Sequence, residues 1–154
     1  MQCTFLNAAG VTLFVRDDME SGHWVQEQMS VTVDFPFDAE KKIERGQRIA
    51  FRDPATDIIE VFEIRQVVNN EPDHFQQITA EHICISELTD EHINKTEITD
   101  QTALQALTTA LTGTLWSAGT STDATVQSAD FSRGSVWDAV NTIQQNWNVY
   151  IKPR

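Results

Sequence analysis

The apolar residues of this chain repeat every second position up to about residue 85 and at about 3.6 residues thereafter. That change of period predicts a sheet-forming half followed by a helix-containing half. The period of two is clearest where Met29, Val31, Val33 and Phe35 alternate with Ser30, Thr32 and Asp34. This is a strand with one buried face, and Pro36, which has no N–H for a ladder, ends it. Upstream, Cys3–Leu6 and Val11–Val15 flank Asn7-Ala8-Ala9-Gly10, residues that supply turn dihedrals, so an opening hairpin is expected. Further strands are expected at Arg48–Arg52, Ile58–Val68 and Phe75–Ile85, separated by the turn-rich stretches 53–57 and 69–73. Short strands at this spacing point to a small barrel or sandwich. The stretch Arg16–Gln28 shows no such pattern and is expected to be a loop, with Trp24 beside His23 in acidic surroundings.

In the second half, Asp100–Leu111 places Leu104, Leu107 and Leu111 on one helical face, with Gly113 at the position of a C-cap glycine. In Ser135–Trp147, Val136, Ala139, Val140, Ile143 and Trp147 form an apolar stripe, and Ser135 and Asp138 have the spacing of a capping pair. A strand is expected at Ala124–Ala129, and another begins at Asn148–Ile151 and is cut short by the end of the chain. The expected organisation is therefore α+β: a barrel-like β module over 1–85 and a small α/β module over 86–154, truncated at its C-terminal end.

Composition narrows the function. With 40% hydrophobic residues, eight Phe and four Trp, 154 residues can fill a core. No run of about 18 apolar residues occurs and the start lacks the basic and apolar regions of a signal peptide, so synthesis and folding in the cytoplasm and no membrane insertion are expected. A net charge of −12 disfavours direct nucleic-acid binding, which needs clustered Lys and Arg. Cys3 and Cys84 have no CxxC partner and are expected to be buried thiols.

The candidate chemical groups each have a structural explanation. Glu81 and His82 are adjacent in an expected strand, so they point to opposite faces and cannot act as a local acid–base pair. Glu87, Asp90, Glu91 and His92 lack the spaced oxygen ligands of a calcium loop. Ser86, Ser132 and Ser135 lie in no nucleophile elbow, and Ser135 is better explained as a helix start. No catalytic residue, cofactor or metal ligand is therefore assigned. Trp147 lies on the apolar stripe and is expected in the core. Trp137, off the stripe, and Trp24 are the candidates for contact with a second subunit or partner.

Several segments, taken in order, resemble a known family. They are Met29–Pro36, Ile43–Ile49, Val61–Val67, Ile78–Leu88, Ala103–Leu107, the Thr-x-Trp-x-x-Gly run within Gly113–Gly119, and Val136–Val140. Together they resemble the N-terminal region of the phage minor structural and tail-associated lysin family, also called prophage tail endopeptidase proteins. The resemblance implies a fold like contractile-tail hub proteins and a place in the virion tail tip as a baseplate hub subunit. It also implies a homotrimer that closes the tail tube beside partners such as the distal tail protein, with any hydrolase activity carried by a C-terminal region outside these 154 residues. A cell-wall-degrading endopeptidase and a carbohydrate-binding module are the alternatives. Along the path of DNA exit, acidic residues over 81–100 would either line the channel or solubilise an outer surface.

Overall fold

The computed structural model describes residues 1–25, 29–53, 56–70, 74–131 and 133–152. Parts of the expected loop 16–28 and of the linkers 53–57 and 69–73, together with Ser132, lie outside the described residues. The chain divides into two compact units, Met1–Ile83 and Cys84–Pro153.

The first unit contains β1 (Cys3–Leu6), β2 (Thr12–Arg16), β3 (Ser21–Val25), β4 (Ser30–Pro36), β5 (Arg48–Arg52), β6 (Ile59–Asn70) and β7 (Phe75–His82). They form one antiparallel sheet in the order β2-β1-β5-β6-β7-β4-β3. In β4 the expected alternation holds, with Val31, Val33 and Phe35 buried, and their neighbours in β7, among them Ile78 and Ala80, are buried with them. Phe5, Ile49, Phe62 and Ile64 complete the inner face. Each such side chain contributes on the order of 1.5–3 kcal/mol by leaving water.

The sheet is rolled but open, which corrects the barrel expectation. β1 and β4 stand four strand spacings apart in the sheet order, about 19 Å if it were flat. The Phe5 and Phe35 rings are nevertheless 5.7 Å apart, so the sheet curls over its apolar face. No backbone ladder joins β2 to β3 among the described residues; side chains span the gap instead. Arg16, at the end of β2, donates through Nη2 to the Pro36 carbonyl of β4 at 2.7 Å.

The stretch read as a loop contains a strand. β3 pairs with β4 in regular register, with Trp24 opposite Val31. The expected strand 75–85 stops at His82, and α1 (Ile83–Asp90) begins there.

In the second unit, β8 (His92–Ile93) pairs with β11 (Gly134–Ser135), and β9 (Thr96–Thr102) with β10 (Val126–Phe131). The helices are α2 (Ala103–Ala110) and α3 (Val136–Trp147). The buried residues of α2 are Ala103, Ala106 and Ala110, while Leu104 and Leu107 are half-buried. The buried stripe within the helix is thus the small-residue one, while Leu111, just beyond it, is buried as expected. The expected strand at Asn148–Ile151 is absent. Asn148 takes a left-handed conformation (φ 51°) that ends α3, and the chain turns back, with Val149 N–H bonded to the Gln144 carbonyl at 3.1 Å and Ile151 N–H to Gln144 Oε1 at 3.0 Å. Val149 and Ile151 then pack on the helical core.

Candidate functional site

On the inner face of the first unit, side chains from β3, β5, β6 and β7 meet in an aromatic cluster. Trp24 meets Phe62 and Phe51 edge-on at 5.2 and 6.1 Å, and Phe51 stacks on Phe62 at 5.2 Å. The His82 ring abuts Phe62 at 5.3 Å and places Nε2 3.1 Å from Glu60 Oε2. Glu60 and His82 are 2% and 4% exposed. Burial pushes the imidazole pKa down to about 4, because an apolar surrounding disfavours the charged ring. A neutral imidazole touching a carboxylate and walled by Phe62 is a packing device for the inner face.

The neighbouring Glu81 points the other way, as strand geometry requires. It accepts from Arg65 Nε at 2.9 Å, while Arg65 Nη1 donates to Glu63 at 2.6 Å. Adjacent residues thus belong to two separate networks.

Sequence patterning also missed Arg16. Its side chain is fully buried, its Nε and Nη2 donate to the two Asp18 carboxylate oxygens at 2.9 and 2.7 Å, and its guanidinium lies 4.8 Å from the Phe35 ring centroid. The hydrogen bond from Arg16 holds the Asp18 carboxyl below its ordinary range. The signal available was an Arg at an inward-facing strand position two residues before an Asp. Cys3 and Cys84 are both buried and not joined in a disulfide, and burial pushes the Cys3 pKa up to about 11.

Of the two contact candidates, Trp24 is half-buried with its ring in the aromatic cluster. Trp137 is half-buried against the cluster of Leu88, Leu111, Val136 and Val140. The two belong to different units. Trp147 is in the core, as its stripe position requires, and its Nε1–H donates to the Gln101 carbonyl at 3.0 Å. Trp116 Nε1–H donates to Glu87 Oε2 at 2.9 Å, which joins one of the acidic candidates to the Thr114-Leu115-Trp116 turn. Ser135 caps α3, its hydroxyl accepting from the Asp138 N–H at 3.1 Å. Among the described residues no group of three or more His, Cys, Asp or Glu is placed to hold a metal ion, and no helix is long and apolar enough to cross a membrane.

No protein-family model matches the chain, and no curated protein matches it in sequence. Among solved structures, the fold is similar to the crystal structure of prophage tail protein gp18 from Listeria monocytogenes EGD-e, with a TM-score of 0.60 at 14% identity. The match covers 99% of this chain and 48% of that one, so this chain spans about half the length of the protein it resembles. At this identity the likeness is one of fold, and it extends through both units.

Proposed function

We propose that the chain is a structural subunit of a phage or prophage tail. The observation that carries this is the likeness in fold to a prophage tail protein over 99% of the chain. The ordered sequence resemblance to the tail-associated lysin family points the same way. Fold alone does not specify function, and the chemistry of the side chains adds weight: buried Arg16, Glu60 and His82 are engaged in packing and hydrogen bonding within the rolled sheet.

Within that role we assign the chain to the baseplate hub at the tail tip, as a homotrimer forming a ring at the end of the tail tube next to the distal tail protein. The chain itself works by shape and contact and has no hydrolase activity. The test is gold-labelled antibody against this chain on tails purified from the encoding phage or prophage. Label confined to the tail tip is expected. Label along the tube or on the head would exclude the hub assignment, and unlabelled particles would exclude the tail assignment.

A further inference from the structure

Among the described residues Arg16 is the one buried Lys or Arg, and it sits at the open seam of the rolled sheet. β2, which it ends, is an edge strand with a ladder to β1 alone. Thr12, Leu13 and Val15 of β2 are exposed, so the strand contributes to the interior through Phe14, stacked on Phe5 at 4.8 Å, and through Arg16. Among the described residues the Arg16 bond to the Pro36 carbonyl is the only hydrogen bond from β2 to β4 or β3. The counter-charge comes from Asp18, on the linker of residues 17–20 that leads to β3. The two partners differ in burial, the Arg16 side chain being 0% exposed and that of Asp18 42%. The seam is thus tied by a cation inside the roll and a carboxylate at its surface.

We infer that Arg16 and Asp18 form a latch: the ion pair holds the β2 edge against Phe35 and Pro36, and the seam opens, with the other ladders of the sheet intact, when Asp18 no longer balances the guanidinium. A guanidinium keeps its proton in a protein, so it stays in an apolar site only while acceptors replace its water. Here Asp18 takes Nε and Nη2, the Pro36 carbonyl takes Nη2 as well, and the Phe35 ring centroid lies 4.8 Å from the guanidinium carbon. Without the carboxylate a buried charge is left uncompensated, which costs more than the pair itself contributes. Arg16 has a way out that a side chain in a central strand lacks. Among the described residues no strand is laddered to the far side of β2, so the side chain can turn into water. That movement breaks the bond to Pro36 and uncovers Phe35 together. The rest of the sheet does not come apart with it, because the ladders joining β5, β6, β7 and β4 contain neither residue of the pair.

The latch concerns the first unit alone and stands or falls separately from the tail assignment. The full chain is compared by NMR as the parent and as Asp18→Asn, which keeps the shape of the side chain and removes its charge. In the parent the buried Arg16 Nε–H should exchange with water far more slowly than that of exposed Arg45. In Asp18→Asn it is expected to speed up by about a hundredfold or more, to the rate of Arg45, which is the scale of shift that a stranded buried charge produces. Backbone amides of β6 and β7 should stay protected. The double variant of Arg16→Met with Asp18→Asn lays an apolar side chain on Phe35 with no charge to balance, and its urea midpoint should recover from that of Asp18→Asn towards the parent value. Slow Nε–H exchange in Asp18→Asn would overturn the latch, since another acceptor would then be holding the arginine. So would loss of protection at Arg16 and in β6 and β7 together, which is global unfolding, or a double variant no more stable than Asp18→Asn.

Discussion

At the scale of single residues, the Glu60–His82 pair shows how a strand's phase can bury a charge-bearing group. In β6 the inward positions are fixed by Phe62 and Ile64, so Glu60 goes in with them while Ile59 is left exposed. A competing phase through Ile59 and Val61 was equally readable in the sequence, and only the pairing with β5 and β7 decides between them. Glu60 was therefore missed, while its partner His82 was recognisable as a structural histidine. The pair has a consequence for pH dependence. The folded-state pKa of His82 lies near 4, below the ordinary 6.5, so the fold prefers the neutral ring. The resulting stability is fully present above about pH 6.5 and is lost as pH falls from there towards about 4, in total on the order of 3 kcal/mol. The other three histidines, His23, His74 and His92, are exposed. Urea unfolding at a series of pH values should show this loss in the parent chain, and His82→Gln should flatten the slope in the upper part of that window, before the carboxylates titrate. Parallel slopes for the two proteins would rule out a buried neutral histidine.

At the scale of elements, what was legible depended on whether local pattern or partner decided the conformation. The hairpin of β1 and β2, the alternating β4, and β5 from Arg48 to Arg52 came out where the sequence placed them. α3 did too, because its stripe and its cap are both local signals. Ser135 and Asp138 form the reciprocal capping box, which satisfies N–H groups at the helix start. Ser135→Ala should therefore lower stability by about 1 kcal/mol, read as a lower urea midpoint with unchanged slope. No measurable change would mean that tertiary packing alone fixes the start of α3. The illegible elements were those set by tertiary context. β3 carries Ser21, Gly22 and His23, without apolar alternation, and is a strand because β4 offers it a ladder. α1 opens on Ile83-Cys84-Ile85, a run that reads as the end of a strand, yet it is helical. In α2 the leucines were the obvious stripe, and Leu111 is indeed buried with Leu107 packed beside it, but Ala103, Ala106 and Ala110 are the buried residues within the helix.

At the scale of the whole molecule, the chain combines an open rolled sheet with a separate helix-containing unit and a charge of −12. The barrel expectation failed at closure. Alternation specifies a sheet with one apolar face but not whether its last two edges pair, and here a side chain, Arg16, reaches from β2 to the Pro36 carbonyl of β4. Of the acidic residues over 81–100, Glu81 and Glu87 are engaged with Arg65 and Trp116. Asp90, Glu91, Glu97 and Asp100 are exposed, Glu97 with its carboxylate 3.6 Å from Lys95 Nζ. The central claim, a trimeric hub subunit, is tested most directly by a cryo-electron microscopy reconstruction of the tail tip of the encoding phage, computed without imposed symmetry. The account predicts three copies of this fold in a ring around the tube axis at its distal end. A tail tip whose density contains no such ring, or contains this fold as single copies away from the axis, would contradict it.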